Sequence, residues 1–391
     1  MNAALDLHLS GAQRELYEET RRLATTLLPE IAAAGEPGRV NRPLVAALAE
    51  HGLLARLFEP GASQVSAIDL CLIREALARG CTEAETAFAL QGLGAYPILQ
   101  AGPPALRDEW IPRVAAGTAV AAFALTEAQA GSDPAALALR AEPADGGDEP
   151  GGYRLTGEKL WISNAPDADI YTVFARTDLA ENGRGARGLT AFAVPGDAPG
   201  LTGEPRRLLA PHAIGSLTFD GVLVGPGQVL GEPGAGFRVA MGTLDLFRPS
   251  VGAFAIGMAR AALQLTAEYA LERRTFGRPL AEHQAIAHRL ADLQAQTEAA
   301  RLLVHQAAMA HDAGRADPSV AAMAKLVATE VAQAAVDAAV QFHGAIALEQ
   351  GHPLEHLYRD VRAPRIYEGA SEIQREIISR AMFRGADRPH S

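Results

Sequence analysis

Apolar positions recur on one helical face from the first segment onward. Ala12, Leu16, Leu23 and Leu27 follow Ser10 and Gln13, whose types and spacing make a capping box, so the chain is expected to open with an amphipathic helix. Helical patterns continue to about Ala116, with breaks at Gly35-Glu36-Pro37, Gly61, Gly80 and Gly102-Pro103-Pro104. They predict an all-α N-terminal domain over residues 1–119. From Val120 the pattern shortens into runs such as Tyr153-Arg154-Leu155, Trp161-Ile162-Ser163, Ile170 to Phe174 and Leu189 to Val194, separated by turns such as Ala144 to Gly152. Short β-branched and aromatic runs at this spacing predict a middle antiparallel β-domain over residues 120–230, its last strand ending near Val224.

Helical spacing returns after Gly234-Ala235-Gly236 and occupies residues 231–391. Pro249 suits the first turn of a helix, and Val251 through Glu272 holds no further breaker. Ile286, Leu290, Leu293, Ala300 and Val304 stand in near-heptad register, with Thr297 the polar interruption. Asp317-Pro318 reads as a cap and first helical residue for a run that should turn Met323, Val327, Val331, Ala334 and Ala338 inward. Ser371 and Gln374 form another capping box ahead of Ile373, Ile377 and Ala381. The expected architecture is α+β: helices, then a β-domain, then a C-terminal four-helix bundle.

Composition narrows this picture. Hydrophobic residues make up 48% of the 391 and aromatics only 5%, so much of the core must consist of closely packed helices with small side chains. The net charge of −11, without a basic run, argues against a nucleic-acid partner. Met1 to Ser10 lacks a basic region followed by an apolar core, and no window holds the roughly 18 uninterrupted apolar residues of a membrane span. A soluble, cytoplasmic protein is expected. Cys71 and Cys81 fall in an alanine-rich helical stretch, where buried thiols are the default, and suggest a reducing compartment with no structural metal.

The candidate chemistry sits near the C-terminus, in Tyr367-Glu368-Gly369-Ala370. Glu368 lies in the turn before a helix start, and the glycine after it frees the backbone to push a carboxylate into a cavity, so Glu368 is the candidate base; taken alone, the motif equally suits an acid favoured at a helix start by the helix dipole. Gly183-Arg184-Gly185-Ala186-Arg187-Gly188 matches a dinucleotide-binding fingerprint by letter. A strand follows it where that mechanism needs a helix N-terminus, so a hairpin loop is expected there.

Several motifs in order resemble the acyl-CoA dehydrogenase family over essentially the whole chain. Phe123-Ala124-Leu125-Thr126-Glu127, with Gly131-Ser132-Asp133, resembles its strand end and flavin loop. Lys159 to Asn164 resembles the strand whose tryptophan packs on the flavin ring. Leu244 to Pro249 is similar to the helix segment that meets the acyl thioester. Arg273 to Gly277 with His283-Gln284 resembles a segment reaching the flavin of a neighbouring subunit, Gln341-Phe342-His343-Gly344-Ala345 the last phosphate loop, and Tyr367-Glu368-Gly369 the catalytic turn.

This resemblance implies FAD, bound without covalent linkage through Phe123, Leu125, Thr126, Gly131, Ser132, Trp161, Ile162, Ser163, Arg273, Phe276, His283, Gln284, Gln341, Phe342, Gly344, Ala345, Ala370 and Glu372. It places substrate against Ser132, Asp245, Arg248, Tyr367 and Gly369. Three positions depart from the family: Ala128 replaces a proline, Ala345 a glycine and Ala370 a threonine, and the last loses a hydroxyl worth about 1 kcal/mol toward the flavin. Some branches carry the base just before the position of Arg248, where this chain has Phe247, so the resemblance leaves Glu368 as the base.

The implied reaction is α,β-dehydrogenation of an acyl thioester, most simply an acyl-CoA, to the 2-enoyl thioester. Apolar walls beside Tyr367 are expected to raise the Glu368 carboxyl toward the operating pH. The resemblance further implies an electron-transfer flavoprotein as acceptor and a homotetramer. Rival readings are a same-fold flavin oxidase or monooxygenase, against which Glu368 argues, a dehydrogenase of carrier-protein thioesters, and a helical binding protein without flavin.

Overall fold

The first helix begins as its sequence dictates: Ser10 Oγ accepts from Gln13 N at 3.2 Å and Gln13 Oε1 from Ser10 N at 3.0 Å. In this computed structural model, residues 6–58, 65–144, 151–178, 185–210 and 212–386 are described. The expected break at Gly61, and Gly183-Arg184 of the expected hairpin loop, lie outside them.

Six helices come first: α1 (Gly11–Thr26), α2 (Leu28–Ala33), α3 (Arg42–Glu50), α4 (Ala67–Ala78), α5 (Thr82–Ala101) and α6 (Pro104–Ala115). The strands follow as β1 (Ala121–Ala124), β2 (Arg140–Pro143), β3 (Tyr153–Ser163), β4 (Ile170–Arg176), β5 (Leu189–Pro195), β6 (Leu201–Pro205), β7 (Ile214–Val224) and β8 (Val229–Leu230). The rest comprises α7 (Gly236–Glu272), a hairpin of β9 (Arg274–Thr275) and β10 (Arg278–Pro279), then α8 (Gln284–Asp312), α9 (Pro318–His343), α10 (Pro353–Asp360) and α11 (Ser371–Ala386). Packing groups these into two compact units that interleave in sequence: Met1–Pro29, Ser66–Glu85 and Asp245–Ser391 form one, Glu30–Val65 and Thr86–Leu244 the other.

The second unit is built on a sheet in the order β6-β7-β3-β2-β4-β5-β8, with β1 pairing β4. It is antiparallel apart from β1 and β2, which both run parallel to β4. Alternation along β3 and β7 turns Leu155, Leu217, Phe219 and Val222 into a common core with Tyr171, Val173 and Phe192. Two register shifts interrupt the β3–β7 ladder, the second between Lys159 and Ile162. This bulge holds Trp161 in a left-handed conformation, φ +54°, and leaves it 48% exposed.

The first unit is helical and packs on alanine. Phe254, Met258, Ala262, Leu293, Ala332, Val336 and Ala339 share one cluster. Gly257 allows a close approach: a Cβ there would stand 2.5 Å from Ala78 Cβ and from the Glu75 carbonyl. A buried ion network crosses this unit, with Arg301 bonded to Asp6 at 2.6 Å and to Glu75 at 2.8 Å, and Arg260 to Glu75 at 2.6 Å.

Some local expectations need correction. Pro249 lies inside α7, which starts at Gly236 and runs through it at the cost of one helical hydrogen bond. Of the α9 residues expected inward, Ala338 is buried and Ala334 packs on the same core, but Val327 is 39% exposed; the buried face also carries Ala321, Lys325, Ala328, Ala332 and Ala339, because small residues permit the nearer helix approach. The Ser371/Gln374 capping box does not form, although α11 starts at Ser371. Ser371 Oγ instead donates to Glu330 Oε1 at 2.8 Å, and Gln374 Nε2 to the Gly369 carbonyl at 2.8 Å. Finally, Pro318–Leu348 reaches a mean hydropathy of 1.3 over 18 residues, long and apolar enough on composition to cross a membrane. Its alanines raise the average, but half of that window is buried inside the protein, and Lys325 is on the buried face, as befits a core helix.

Candidate active site

Glu368 occupies a turn that the chain would not adopt unaided. Its φ is +51°, in the left-handed region that disfavours side chains with a Cβ, and Gly369 follows at φ +90°. A short 3-10 turn, Ala363–Arg365, brings the chain in, and α11 takes it out at Ser371. The result aims the carboxylate inward: among the described residues Glu368 Oε2 is buried and without a hydrogen-bond partner. Such an acceptor is costly to bury unless it has a task.

The turn is gripped from α9. Lys325, 1% exposed, donates to the carbonyls of both Tyr367 and Gly369, the latter at 2.6 Å. Glu330, further along α9, accepts from Ser371 and pairs with Arg365 at 2.9 Å. Burial pushes the Lys325 ammonium down to about 7, with Arg248 adding to the push and the Glu368 carboxylate opposing it. The Tyr367 phenol is driven well above its usual value by burial and by Glu85.

The walls are therefore less apolar than expected. Arg74 is buried, bonded to Glu85 and to Ser250 Oγ at 2.6 Å, and its charge acts on both Glu368 and Tyr367. Phe247 is fully buried and has no group that takes a proton. Asp245 and Arg248 pair at 2.6 Å, one turn apart on α7, leaving Arg248 Nε buried and without a partner among the described residues. Arg74 and Lys325 escaped sequence reasoning. The usable signal was a lone cation on an otherwise alanine-rich inward face, Ala321, Ala324 and Ala328 in the case of Lys325.

In the sheet unit the residues assigned to cofactor cluster at one strand end. Glu127 accepts from Ala138 N at 2.7 Å, Leu139 N at 3.0 Å and Lys159 Nζ at 2.8 Å, while Lys159 also donates to the Leu125 carbonyl at 2.9 Å. The Leu160 N–H meets the Thr126 carbonyl at 3.0 Å, so strand end and bulge are tied together. Burial lowers Lys159 to about 8 against the pull of Glu127. Thr126 and Ser163 stay partly exposed, and Gly131 and Ser132 are exposed. Phe123 packs on Phe174 at 4.9 Å between centroids. Ile162 is buried in the core, which leaves its backbone, not its side chain, for a ligand.

The remaining assigned residues belong to the helical unit. Phe276 tips the β9–β10 hairpin at φ +49° and 98% exposure, and Arg273 and Gln284 are exposed near it. His283 Nε2 lies 3.1 Å from Thr275 Oγ1, so it braces that hairpin. Gly344 follows α9 at φ +72° with open space on its Cβ side, beside exposed Gln341 and Ala345 and half-buried Phe342. His343 is buried, stacked on Tyr269 at 4.2 Å and bonded to the Ala339 carbonyl, a structural role. Glu372 is exposed and Ala370 half-buried beside the turn.

Three family profiles match the chain: "Acyl-CoA dehydrogenase, N-terminal domain" over residues 10–118, the middle domain over 122–222 and the C-terminal domain over 234–383. Cyclohexane-1-carbonyl-CoA dehydrogenase of Geobacter metallireducens is 35% identical, with 95% of this chain and 97% of that protein covered. The butyryl-CoA dehydrogenase structure from Megasphaera elsdenii is 33% identical with a TM-score of 0.88, covering 96% of this chain and 99% of that one. A glutaryl-CoA dehydrogenase from Mycobacterium smegmatis, in complex with FADH2, is 26% identical with a TM-score of 0.87, covering 96% of each chain.

Proposed function

The chain belongs to the acyl-CoA dehydrogenase family, and from that premise we propose that it catalyses FAD-dependent α,β-dehydrogenation of an acyl-CoA to the 2-enoyl-CoA. The observation that carries this reading is the Glu368 carboxylate, pressed inward on a left-handed turn with one oxygen unpartnered. The residues present suit a flavin dinucleotide. Trp161 offers an exposed ring face on a rigid bulge, Thr126, Ser132 and Ser163 offer hydroxyls, and Gly344 offers backbone free of a side chain. Arg273, Phe276 and Gln284 are free to meet a second copy of the chain, and we assign the assembly as a tetramer working in the cytoplasm, with an electron-transfer flavoprotein as acceptor.

In the proposed step Glu368 removes the proton from the carbon next to the thioester carbonyl. FAD, when bound, takes up the β-hydride that leaves as the double bond forms. The Glu368 backbone N–H stabilises the charge developing on the thioester oxygen. The fixed turn keeps base and carbon acid in register.

A panel of acyl-CoA thioesters mixed anaerobically with the purified flavoprotein tests the reading. At least one straight or branched acyl-CoA should bleach the flavin, and the colour should return rapidly only with an electron acceptor other than oxygen. Immediate recovery in air with stoichiometric peroxide would mark an oxidase instead.

A further inference from the structure

A left-handed residue with a Cβ costs roughly 1–2 kcal/mol and persists only where its surroundings leave it no alternative. Around Glu368 the constraint comes largely from one side chain. Lys325 donates to the carbonyl before Glu368 and to the carbonyl after it, bracketing the two peptide units whose rotation sets the direction of the carboxylate. Gln374 supports the exit only, reaching the Gly369 carbonyl at 2.8 Å and the Glu368 carbonyl at 3.5 Å. Glu330 fixes the flanks through Ser371 and Arg365.

Using an ammonium for this is expensive. Lys325 is nearly sealed from solvent; its ammonium bonds to two neutral carbonyls and lies 5.9 Å from the Tyr367 ring centroid, and among the described residues no carboxylate pairs with it directly to repay the loss of hydration in full. Gln374 shows that a neutral amide can make such a bond. What an amide lacks is charge, and the charged groups acting on Lys325 are the Glu368 carboxylate, which attracts it, and Arg248, which repels it.

We propose that Lys325 is a positioning residue for the reaction: by holding the Tyr367 and Gly369 carbonyls it locks the Glu368 peptide in its left-handed form and aims the carboxylate at the substrate. The inference rests on the assignment of Glu368 as base. It extends the acid-base machinery onto α9, outside the catalytic turn.

Lys325→Met removes the donating group at similar volume, and Lys325→Gln keeps a neutral amide donor on a shorter side chain; both would be compared with wild-type holoenzyme. The first readout, independent of turnover, is amide hydrogen exchange of residues 366–374. It should speed up in Lys325→Met and be intermediate in Lys325→Gln, while exchange in the sheet stays unchanged. The second is flavin reduction at saturating acyl-CoA. It should fall about 10²-fold in Lys325→Met, as a mis-aimed base costs, with Kd for a non-reactive thioether analogue shifted less than about threefold. In a Glu368→Gln background Lys325→Met should have no further effect on the residual rate. Should Lys325→Met fail to fold, Lys325→Gln decides by the same readouts. Unchanged exchange in 366–374, or equal rate losses with and without Glu368, would overturn the role of Lys325. A Glu368→Gln enzyme of wild-type rate would overturn the base assignment instead, while the exchange data still show whether Lys325 locks the turn.

Discussion

Lys159 Nζ lies 2.8 Å from Glu127 Oε1, and both side chains are buried. The pair joins the end of β1 to the bulge that presents Trp161, so it shapes the surface assigned to flavin without touching it. Glu127→Ala would strand the ammonium and two backbone N–H groups, a loss of about 3–5 kcal/mol by the usual cost of breaking a buried pair. Urea unfolding should show a lower midpoint, and the flavin should dissociate faster than from wild type.

Glu75 is the hub of the ion network in the helical unit. Burial pushes its carboxyl up, but Arg301, His305 and Arg260 outweigh that and hold it well below its ordinary 4.5. A depressed carboxyl contributes stability that is complete above 4.5 and is lost as pH falls through the lower folded value. Glu75→Gln should therefore cost about 3–5 kcal/mol at neutral pH, and the gap to wild type should close only in acid. A gap independent of pH down to acid unfolding would contradict this.

His356 carries the opposite sign. The hydrogen bond to Asp360 raises it above 6.5, against burial, at 3.0 Å from Asp360 Oδ2 and 2.7 Å from Thr82 Oγ1. A raised histidine contributes stability that is fully present below 6.5 and is lost as pH rises through its folded value. His356→Gln should be less stable than wild type by about 1 kcal/mol near pH 6, and the difference should shrink toward pH 9. Thermal melts across that range measure it.

Where period and punctuation agreed, the fold was legible in the sequence. The Ser10 cap, the Asp317-Pro318 start of α9 and the breaks at Gly80 and Gly102 all fall where expected. Side-chain size misled the reading of α9, since Val327 is a better apolar residue than Ala328 but a worse neighbour for a close helix. The turn itself was legible through Glu368-Gly369, yet its support was not. Lys325 and Arg74 lie far away in sequence and are brought to the turn only by helix packing. Lys159 was readable in principle, because in β3 it shares the inward parity of Leu155.

Oligomerisation is tested at the β9–β10 hairpin. Native mass by light scattering should correspond to four chains, and Phe276→Asp should yield smaller species with lower flavin content. A monomeric wild type with full flavin would contradict the assembly and the roles given to Arg273, Phe276 and Gln284.

The central claim is that Glu368 takes the α-proton. Gln at this position keeps the shape and cannot accept the proton, so substrate binding should survive while the chemical step slows by roughly 10² to 10⁴-fold or more. The direct measurement is stopped-flow bleaching of the flavin by a competent acyl-CoA in wild type and Glu368→Gln. The account predicts near-abolished bleaching with an almost unchanged substrate Kd; bleaching at the wild-type rate in Glu368→Gln would contradict it.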